Sequence, residues 1–293
     1  MKLLFIFNPR AGKETVKNRL GDIIELFSSL GHVTTVMATS AAGDAVRFVR
    51  EMDDGYDRVI CAGGDGTLDE VVSGMYGREH KVPIGYIPAG STNDFAVSLG
   101  IPVRVMDAAK ASVSDHIFDC DLGLFNGRPF VYVAAFGAFT EVSYETPQNV
   151  KNVFGHTAYI MEALKRLGDI RSASLKVTTD SMTIEDDFIY GMITNSSSVG
   201  GIKNITGPAV DLSDGLFEVT LVRNPKTPAD MNAIITGLMN REYSTDALYS
   251  FKAEHITFEF TEPVSWTLDG EFGGEERNVE IRNMKGEMRI AVK

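Results

Sequence analysis

The stretch Arg58-Val59-Ile60-Cys61-Ala62-Gly63-Gly64-Asp65-Gly66-Thr67-Leu68-Asp69-Glu70-Val71-Val72 constrains this chain more than any other. A buried strand runs into three glycines and then into apolar residues at helical spacing, namely Leu68, Val71, Val72 and Met75. Glycine permits positive φ and close backbone approach, so amide N–H groups can converge on an anion there. The helix start adds unsatisfied donors and the positive end of its dipole. Gly63 to Thr67 therefore reads as a loop that cradles the phosphates of a nucleotide. Asp65 would repel that ligand unless a cation intervenes, so it is a candidate for the Mg²⁺ environment. The structural alternative is a tight strand-to-helix turn with Asp65 as a solvated cap.

The surrounding rhythm sets the fold class. Strand-like runs at Lys2–Phe7, Val33–Ala38, 58–62 and 83–87 alternate with helical patterns through Val16–Leu30, Ala45–Met52, Leu68–Met75 and 95–99. That alternation predicts an α/β N-terminal domain with a mainly parallel sheet covered on both faces. After about Asp115 the chain turns strand-rich, at 117–122, 129–136, 175–179, 188–195, 217–222, 255–260, 264–268, 279–282 and 287–292. A helix is expected over 157–167, and Thr227-Pro228 opens another. The expectation is a nucleotide-binding α/β domain over 1–125, completed by 284–293, and an antiparallel β-rich sandwich over 126–283.

Bulk properties exclude several function classes. The 293 residues are 44% hydrophobic and 23% charged, as in a soluble globular protein with a sizeable core. A formal net charge of −12 argues against nucleic-acid binding, which needs a basic face. No polybasic cluster for docking on anionic lipid stands out, and no apolar run approaches the roughly 20 residues of a spanning helix. Cys61 and Cys120 fit no metal spacing or disulfide framework, so a reducing cytoplasm is the expected compartment.

Two further polar loops follow predicted strands. Asn8-Pro9-Arg10-Ala11-Gly12-Lys13 follows the first, and Pro88-Ala89-Gly90-Ser91-Thr92-Asn93-Asp94-Phe95 follows the fourth. Ligands of open parallel sheets bind beyond the carboxyl ends of the strands, so all three loops belong to one edge. Walker A spacing is absent, because Gly12-Lys13 is followed by Glu14 and lacks the earlier glycine.

With Asp211-Leu212-Ser213-Asp214-Gly215-Leu216-Phe217 and Leu268-Asp269-Gly270-Glu271, these loops resemble the diacylglycerol kinase catalytic-domain family over nearly the whole chain. That family includes soluble bacterial lipid kinases and sphingosine kinases, and its fold is similar to that of NAD kinases and phosphofructokinases. The resemblance implies an ATP-dependent lipid kinase, most simply converting diacylglycerol to phosphatidic acid at a membrane surface. It places ATP against Asn8, Pro9, Arg10, Ala11, Gly12, Lys13, Thr39, Gly63, Gly64, Asp65, Gly66, Thr67, Ser91 and Asn93. Asp269 and Glu271 match the acidic pair that contains the catalytic base. Asp214 with the carbonyls of Asp211 and Leu216 matches a structural Mg²⁺ site, alongside Asp65 at the catalytic one, although Asp211 to Gly215 reads equally as an Asx-type turn. The expected partners are a lipid acceptor and a second copy in a homodimer, with peripheral contact at the membrane.

Two departures stand out: Ala11 replaces the commoner serine, and Asp69 stands where asparagine is usual. Three alternatives stay open on the residues alone. An NAD-type nucleotide kinase shares the glycine–aspartate loop, although Asn93-Asp94-Phe95 favours lipid kinases. A non-catalytic nucleotide or lipid sensor would keep the same fold. Asp269-Gly270-Glu271 also reads as a plain hairpin turn, and Ser196-Ser197-Ser198 as a loop at the border of an acceptor cleft.

Overall fold

A computed structural model of the chain describes residues 1–12, 14–137, 172–203, 210–240 and 247–293. Lys13 and the helix expected over 157–167 lie outside these residues. The first half builds β1 (Lys2–Phe7), α1 (Thr15–Asn18), α2 (Leu20–Ser29), β2 (Val33–Ala38), α3 (Asp44–Glu51), β3 (Arg58–Gly63), α4 (Asp65–Tyr76), β4 (Ile84–Pro88), α5 (Asp94–Ser98) and α6 (Val105–Ser112). The single helix expected over 16–30 is broken at Arg19, whose φ of −112° and ψ of 9° leave helical geometry. The alanine-rich helix α6 escapes a reading based on large apolar residues, because Ala108, Ala109 and Ala111 carry its buried face.

β5 (Ile117–Phe125), β6 (Arg128–Phe130), β7 (Val133–Gly137), β8 (Ala173–Thr179) and β9 (Thr183–Thr194) follow, then the short pair β10 (Ser198–Val199) and β11 (Ile202–Lys203). β12 (Phe217–Arg223), α7 (Pro228–Asn240), β13 (Leu248–Ala253), β14 (His255–Leu268) and β15 (Glu271–Ala291) complete the order. Helix α7 starts at the proline, as expected. Thr227 Oγ1 accepts from the Asp230 amide at 3.1 Å, and Asp230 accepts from the Thr227 amide at 2.9 Å, a reciprocal cap.

Each of β14 and β15 replaces two strands expected from the sequence. Register shifts between Glu259 and Val264, and between Met284 and Met288, let each strand bend without ending. β1 pairs in parallel with β2 and β3, β3 with β4, and β4 with the last residues of β15 through Ile290↔Ile84 and Ala291↔Gly85. The remaining pairings of this 13-stranded sheet are antiparallel, so the sheet as a whole is mostly antiparallel; the sequence led to a mainly parallel sheet in the N-terminal domain alone.

Two buried clusters fill the molecule. One joins Phe5, Ile6, Phe27, Val59, Leu68 and Phe95, with Met288 and Ile290 reaching in from β15. The other centres on Trp266, which meets the rings of Phe125, Phe136, Phe258 and Phe260 at centroid distances of 5.0, 4.9, 5.4 and 6.0 Å. Each such ring, fully buried, contributes about 1.5–3 kcal/mol relative to exposure.

Candidate active site

The residue after each parallel strand extends the ladder and carries its loop to one edge. The Asn8 amide donates to the Ala62 carbonyl at 2.9 Å, the Thr39 amide to Phe7 at 3.0 Å, and the Ala89 amide to Gly63 at 2.8 Å. The three loops then touch through glycine backbones. A Cβ on Gly90 would sit 2.8 Å from the Gly64 Cα, and one on Gly12 (φ +54°) would sit 2.3 Å from the Ala89 carbonyl oxygen. Two side chains expected at the nucleotide, Asn8 and Asn93, also shape the loops. Asn8 Oδ1 accepts from the Arg10 amide at 2.9 Å in an Asx turn. Asn93, at φ +52°, accepts from the Gly90 amide at 2.7 Å and donates to the Gly90 carbonyl at 3.0 Å. Ala11 is buried, Pro9 and Thr67 are half-buried, and Arg10, Gly66 and Ser91 are exposed on these loops. No side chain caps the start of α4, so its first-turn amides are free of that competitor.

Acidic groups face this cradle. Asp65 Oδ2 accepts from Thr92 Oγ1 and from the Asp94 amide, each at 3.3 Å, while its Oδ1 is buried with no hydrogen-bond partner. Burial, then the neighbouring Asp94 charge, pushes the Asp65 carboxyl up to about 6. An orphaned carboxylate oxygen beside a phosphate cradle fits Mg²⁺, which is commonly held by one or two carboxylates plus phosphates. Asp94 itself is buried and reaches the other half of the molecule. Its Oδ1 accepts from Ser198 Oγ at 2.6 Å and from the Gly201 amide at 3.0 Å. The Ser98 and Ser196 hydroxyls meet at 2.7 Å beside it, so the serine run does border the site.

Asp269 and Gly270 form the two-residue turn between β14 and β15, at φ +51° and +87°. Both central residues at positive φ mark the hairpin turn that asparagine, aspartate and glycine favour. The turn carries a buried carboxylate: Asp269 Oδ2 accepts from Val131 N at 2.5 Å, and Oδ1 from Tyr132 N at 2.9 Å and Val133 N at 3.0 Å. Asp69, on α4, and Asp269 act on each other's carboxyls, and burial is the first cause that raises both. Glu271 is exposed. Glu70, beside Asp69, accepts from the Gly43 and Ala45 amides at 2.9 and 3.0 Å and so caps α3 from a neighbouring helix.

Residues 2–125 match the family model described as the diacylglycerol kinase catalytic domain, and residues 134–290 match a C-terminal NAD kinase beta sandwich-like domain. A diacylglycerol kinase of Bacillus subtilis is 30% identical over 92% of this chain and 89% of its own length. One from Staphylococcus saprophyticus is 31% identical over 92% and 88%. The chain belongs to the diacylglycerol kinase family. Membership places it among the lipid kinases. A solved structure of a diacylglycerol kinase from Bacillus anthracis shares the fold at a TM-score of 0.79 with 23% identity, covering 100% of this chain and 97% of that one.

At the loop where the diacylglycerol kinase resemblance implied a structural Mg²⁺ site, the acidic side chains bond within the protein. Asp211 turns its Oδ1 to the amide and hydroxyl of Ser213, at 3.0 and 2.8 Å. Asp214 Oδ1 accepts from the Leu216 amide at 2.9 Å, and its Oδ2 pairs with Lys252 Nζ at 2.8 Å. Lys285 Nζ donates to the Asp214 carbonyl at 3.3 Å, and Lys252 also meets Glu218 at 3.0 Å. Burial opposes the Lys252 charge, yet its bonds to Asp214 and Glu218 outweigh that and hold its pKa above the ordinary value. Two ammonium groups thus lie against Asp214, one on its carboxylate and one on its carbonyl. Among the described residues no cluster of three or more metal-ligating side chains is present.

Sequence reasoning passed over Asp94 as a bridge, Glu70 as a cap, and Lys252. Asp94 lay inside the quoted loop motif, but nothing in the sequence shows that its carboxylate crosses to Ser198.

Proposed function

We propose that this chain transfers the γ-phosphoryl group of ATP to the free hydroxyl of diacylglycerol, giving phosphatidic acid, in the cleft between the glycine loops and the Asp269 turn. One observation carries the reading: Asp269 is buried against the amides of Val131, Tyr132 and Val133, and its charge acts on Asp69, on the helix whose N-terminus forms the phosphate cradle. A group able to take a proton thus faces the place where phosphate is held. The acceptor oxygen attacks the γ-phosphorus, the bond to the β-phosphate bridging oxygen breaks, and the hydroxyl proton passes to Asp269. The loops of Asn8–Gly12, Thr39, Gly63–Thr67 and Ser91–Asn93 hold ATP, and Asp65 supplies the protein ligand for Mg²⁺. When bound, that ion neutralises charge on the β- and γ-phosphates.

In the same reading residues 1–125 with 284–293 form the nucleotide domain and 126–283 the acceptor domain. No helix among the described residues is long and apolar enough to cross a membrane. The enzyme therefore meets its lipid at the membrane surface from the cytoplasm, as a homodimer whose mass light scattering would test.

The test is a transfer assay with labelled ATP, Mg²⁺ and mixed micelles of diacylglycerol, sphingosine or other lipid alcohols, with NAD in a parallel arm. Label in phosphatidic acid supports the proposal. Transfer to NAD alone, or tight ATP binding without transfer to any acceptor, defeats it.

A further inference from the structure

We propose that Ser198 is a positioning residue of this reaction: its hydrogen bond to Asp94 locks the segment after β9 onto the Gly90 loop, and so fixes the Asp269 turn against the phosphate cradle. The inference rests on the lipid kinase reading and on Asp269 as its base.

Asp94 is the first residue of α5, a place where a carboxylate ordinarily faces solvent and the amides of its own helix. Here it reaches across the molecule instead. It is 1% exposed, and its donors lie 104 and 107 positions along the chain. Oδ1 accepts from Ser198 Oγ at 2.6 Å and from the Gly201 amide at 3.0 Å, and Oδ2 accepts from the same amide at 3.2 Å. The hydroxyl contact has the length of a charge-assisted bond, roughly twice as strong as a neutral one. Gly200 and Gly201, at φ +62° and +80°, form the turn between β10 and β11. Asp94 therefore holds that hairpin at its first strand and at its turn.

The same face of α5 adds a second hold. Ser98 lies one helical turn beyond Asp94 and shares its side of the helix. Its hydroxyl meets that of Ser196 at 2.7 Å and accepts from the amide and hydroxyl of Ser197 at 3.1 and 3.2 Å. Ser196 Oγ donates to the Ser198 carbonyl at 2.6 Å, which fixes the path of the chain between them. All three serines of the run are thus engaged with α5.

This latch is anchored at both ends. On the nucleotide side, the Asp94 amide donates to Asp65 Oδ2 at 3.3 Å. On the other side, β9 pairs with β7, where Val133 lies opposite Thr194. Thr194 Oγ1 and the Asn195 amide donate to the Tyr132 carbonyl, at 2.6 and 3.0 Å. The Tyr132 and Val133 amides are the ones that hold Asp269 Oδ1. From Thr194 to Ser198 the chain advances four residues, which reach at most about 14 Å. With the latch closed, the strand that frames Asp269 cannot drift from the loop that faces Asp65. Proton transfer needs a heavy-atom separation of about 2.6–3.2 Å, so a small drift of Asp269 lowers the rate and leaves nucleotide affinity alone.

Ser198→Ala removes the hydroxyl and keeps the strand backbone. Its kcat for lipid phosphorylation should fall about 10- to 100-fold, the scale of a misplacement of about 1 Å, with KM for ATP unchanged. Ser198→Thr keeps the hydroxyl on a strand-favouring residue and should recover kcat. In the Asp94→Ala background, Ser198→Ala should cause no further loss, because the two residues act as one contact. Hydrogen exchange of the 198–203 amides, followed by mass spectrometry, reads the latch without catalysis. Exchange there should speed up in Ser198→Ala and slow again in Ser198→Thr. Wild-type kcat in Ser198→Ala, losses that add in the double variant, or exchange that does not change, each overturn the proposal. Absence of transfer by the wild-type protein defeats the lipid kinase reading itself, whereas normal transfer by Ser198→Ala defeats the latch alone. Thermal melts confirm that each variant is folded at the assay temperature.

Discussion

The Cα of Gly64 and the backbone of Gly90 pack directly on one another, since a Cβ built on Gly64 would lie 3.3 Å from the Gly90 Cα and one on Gly90 only 2.8 Å from Gly64. Two loops far apart in sequence therefore form one surface. Asn93 Oδ1, 2.9 Å from the same imaginary Cβ, closes the third side. Gly90→Ala is expected to separate the loops, costing about 1–3 kcal/mol in stability as an overpacked site. ATP affinity should fall with it. Thermal unfolding together with calorimetric titration of ATP checks both, and an unchanged ATP affinity would mean that the contact is not needed for the cradle.

Asp269→Asn keeps the shape of the turn, because asparagine tolerates positive φ. It replaces one carboxylate oxygen by an NH₂ group that must face a backbone N–H of the 131–133 segment. Turnover should fall by about 10²–10⁴, the range for loss of a general base. ATP binding, which the opposite loops provide, should change little. Stopped-assay kcat and calorimetry on the same sample separate the two effects.

Lys252→Met removes the ammonium from between Asp214 and Glu218, leaving half-buried like charges together. A loss of roughly 1–3 kcal/mol is expected, as for removal of one hydrogen-bonded charge partner. The wild-type melting temperature without nucleotide should be the same in Mg²⁺ and in EDTA. The variant should be restored in part by Mg²⁺, because an external cation can then reach the loop. Strong Mg²⁺ stabilisation of the wild type that survives Asp65→Asn would contradict a loop neutralised from within.

Asp65 gives the pH dependence of stability a definite sign. Its folded carboxyl is raised to about 6, against about 3.9 unfolded. The folded state thus holds a proton that the unfolded state has already released, so its contribution is full below about pH 4 and lost as pH rises through about 6. Asp44 acts oppositely, because the Ser40 amide first, and then the Ser40 hydroxyl, Arg47 and the Ala41 amide, hold its carboxyl far below the usual range. Its contribution is present above the unfolded value and lost as pH falls. Melting curves between pH 4 and 7, compared with Asp65→Asn without Mg²⁺, should show the wild type losing stability relative to the variant as pH rises.

The parts of this molecule that were legible in the sequence are those governed by local rules. Gly63 to Thr67 announced a strand, a turn and a helix because each is fixed within a few residues. Thr227-Pro228 announced its helix for the same reason. What stayed hidden depends on contacts distant in the chain. Asp69 is 200 positions from Asp269 in the numbering, and only the packing of α4 against β6 and the hairpin brings the two carboxyls together. Asp269-Gly270 had both a turn reading and a catalytic reading. The backbone does adopt the turn, and the buried side chain leaves the chemical role open to test. β15 was divided in two because Asn283-Met284-Lys285-Gly286, with its glycine at φ +66°, interrupts the apolar pattern, and its polar start at Glu275-Glu276-Arg277-Asn278 was passed over, although that stretch pairs with β14.

β15 is 21 residues long and is held between β14 and then β4 along one edge and β5 along the other. It leaves the Asp269 turn and ends beside the strand that leads into the Gly90 loop. The Asp269 turn and the strand before the Gly90 loop are therefore joined along a single strand. Any movement of the Asp269 turn relative to the Gly90 loop has to be absorbed as twist or bend along that strand, most readily at the break between Met284 and Met288 where the register changes. Cutting the gene after residue 125 would consequently yield a nucleotide half whose β4 had lost its neighbour, and the two halves should recover a fold only when they are brought back together.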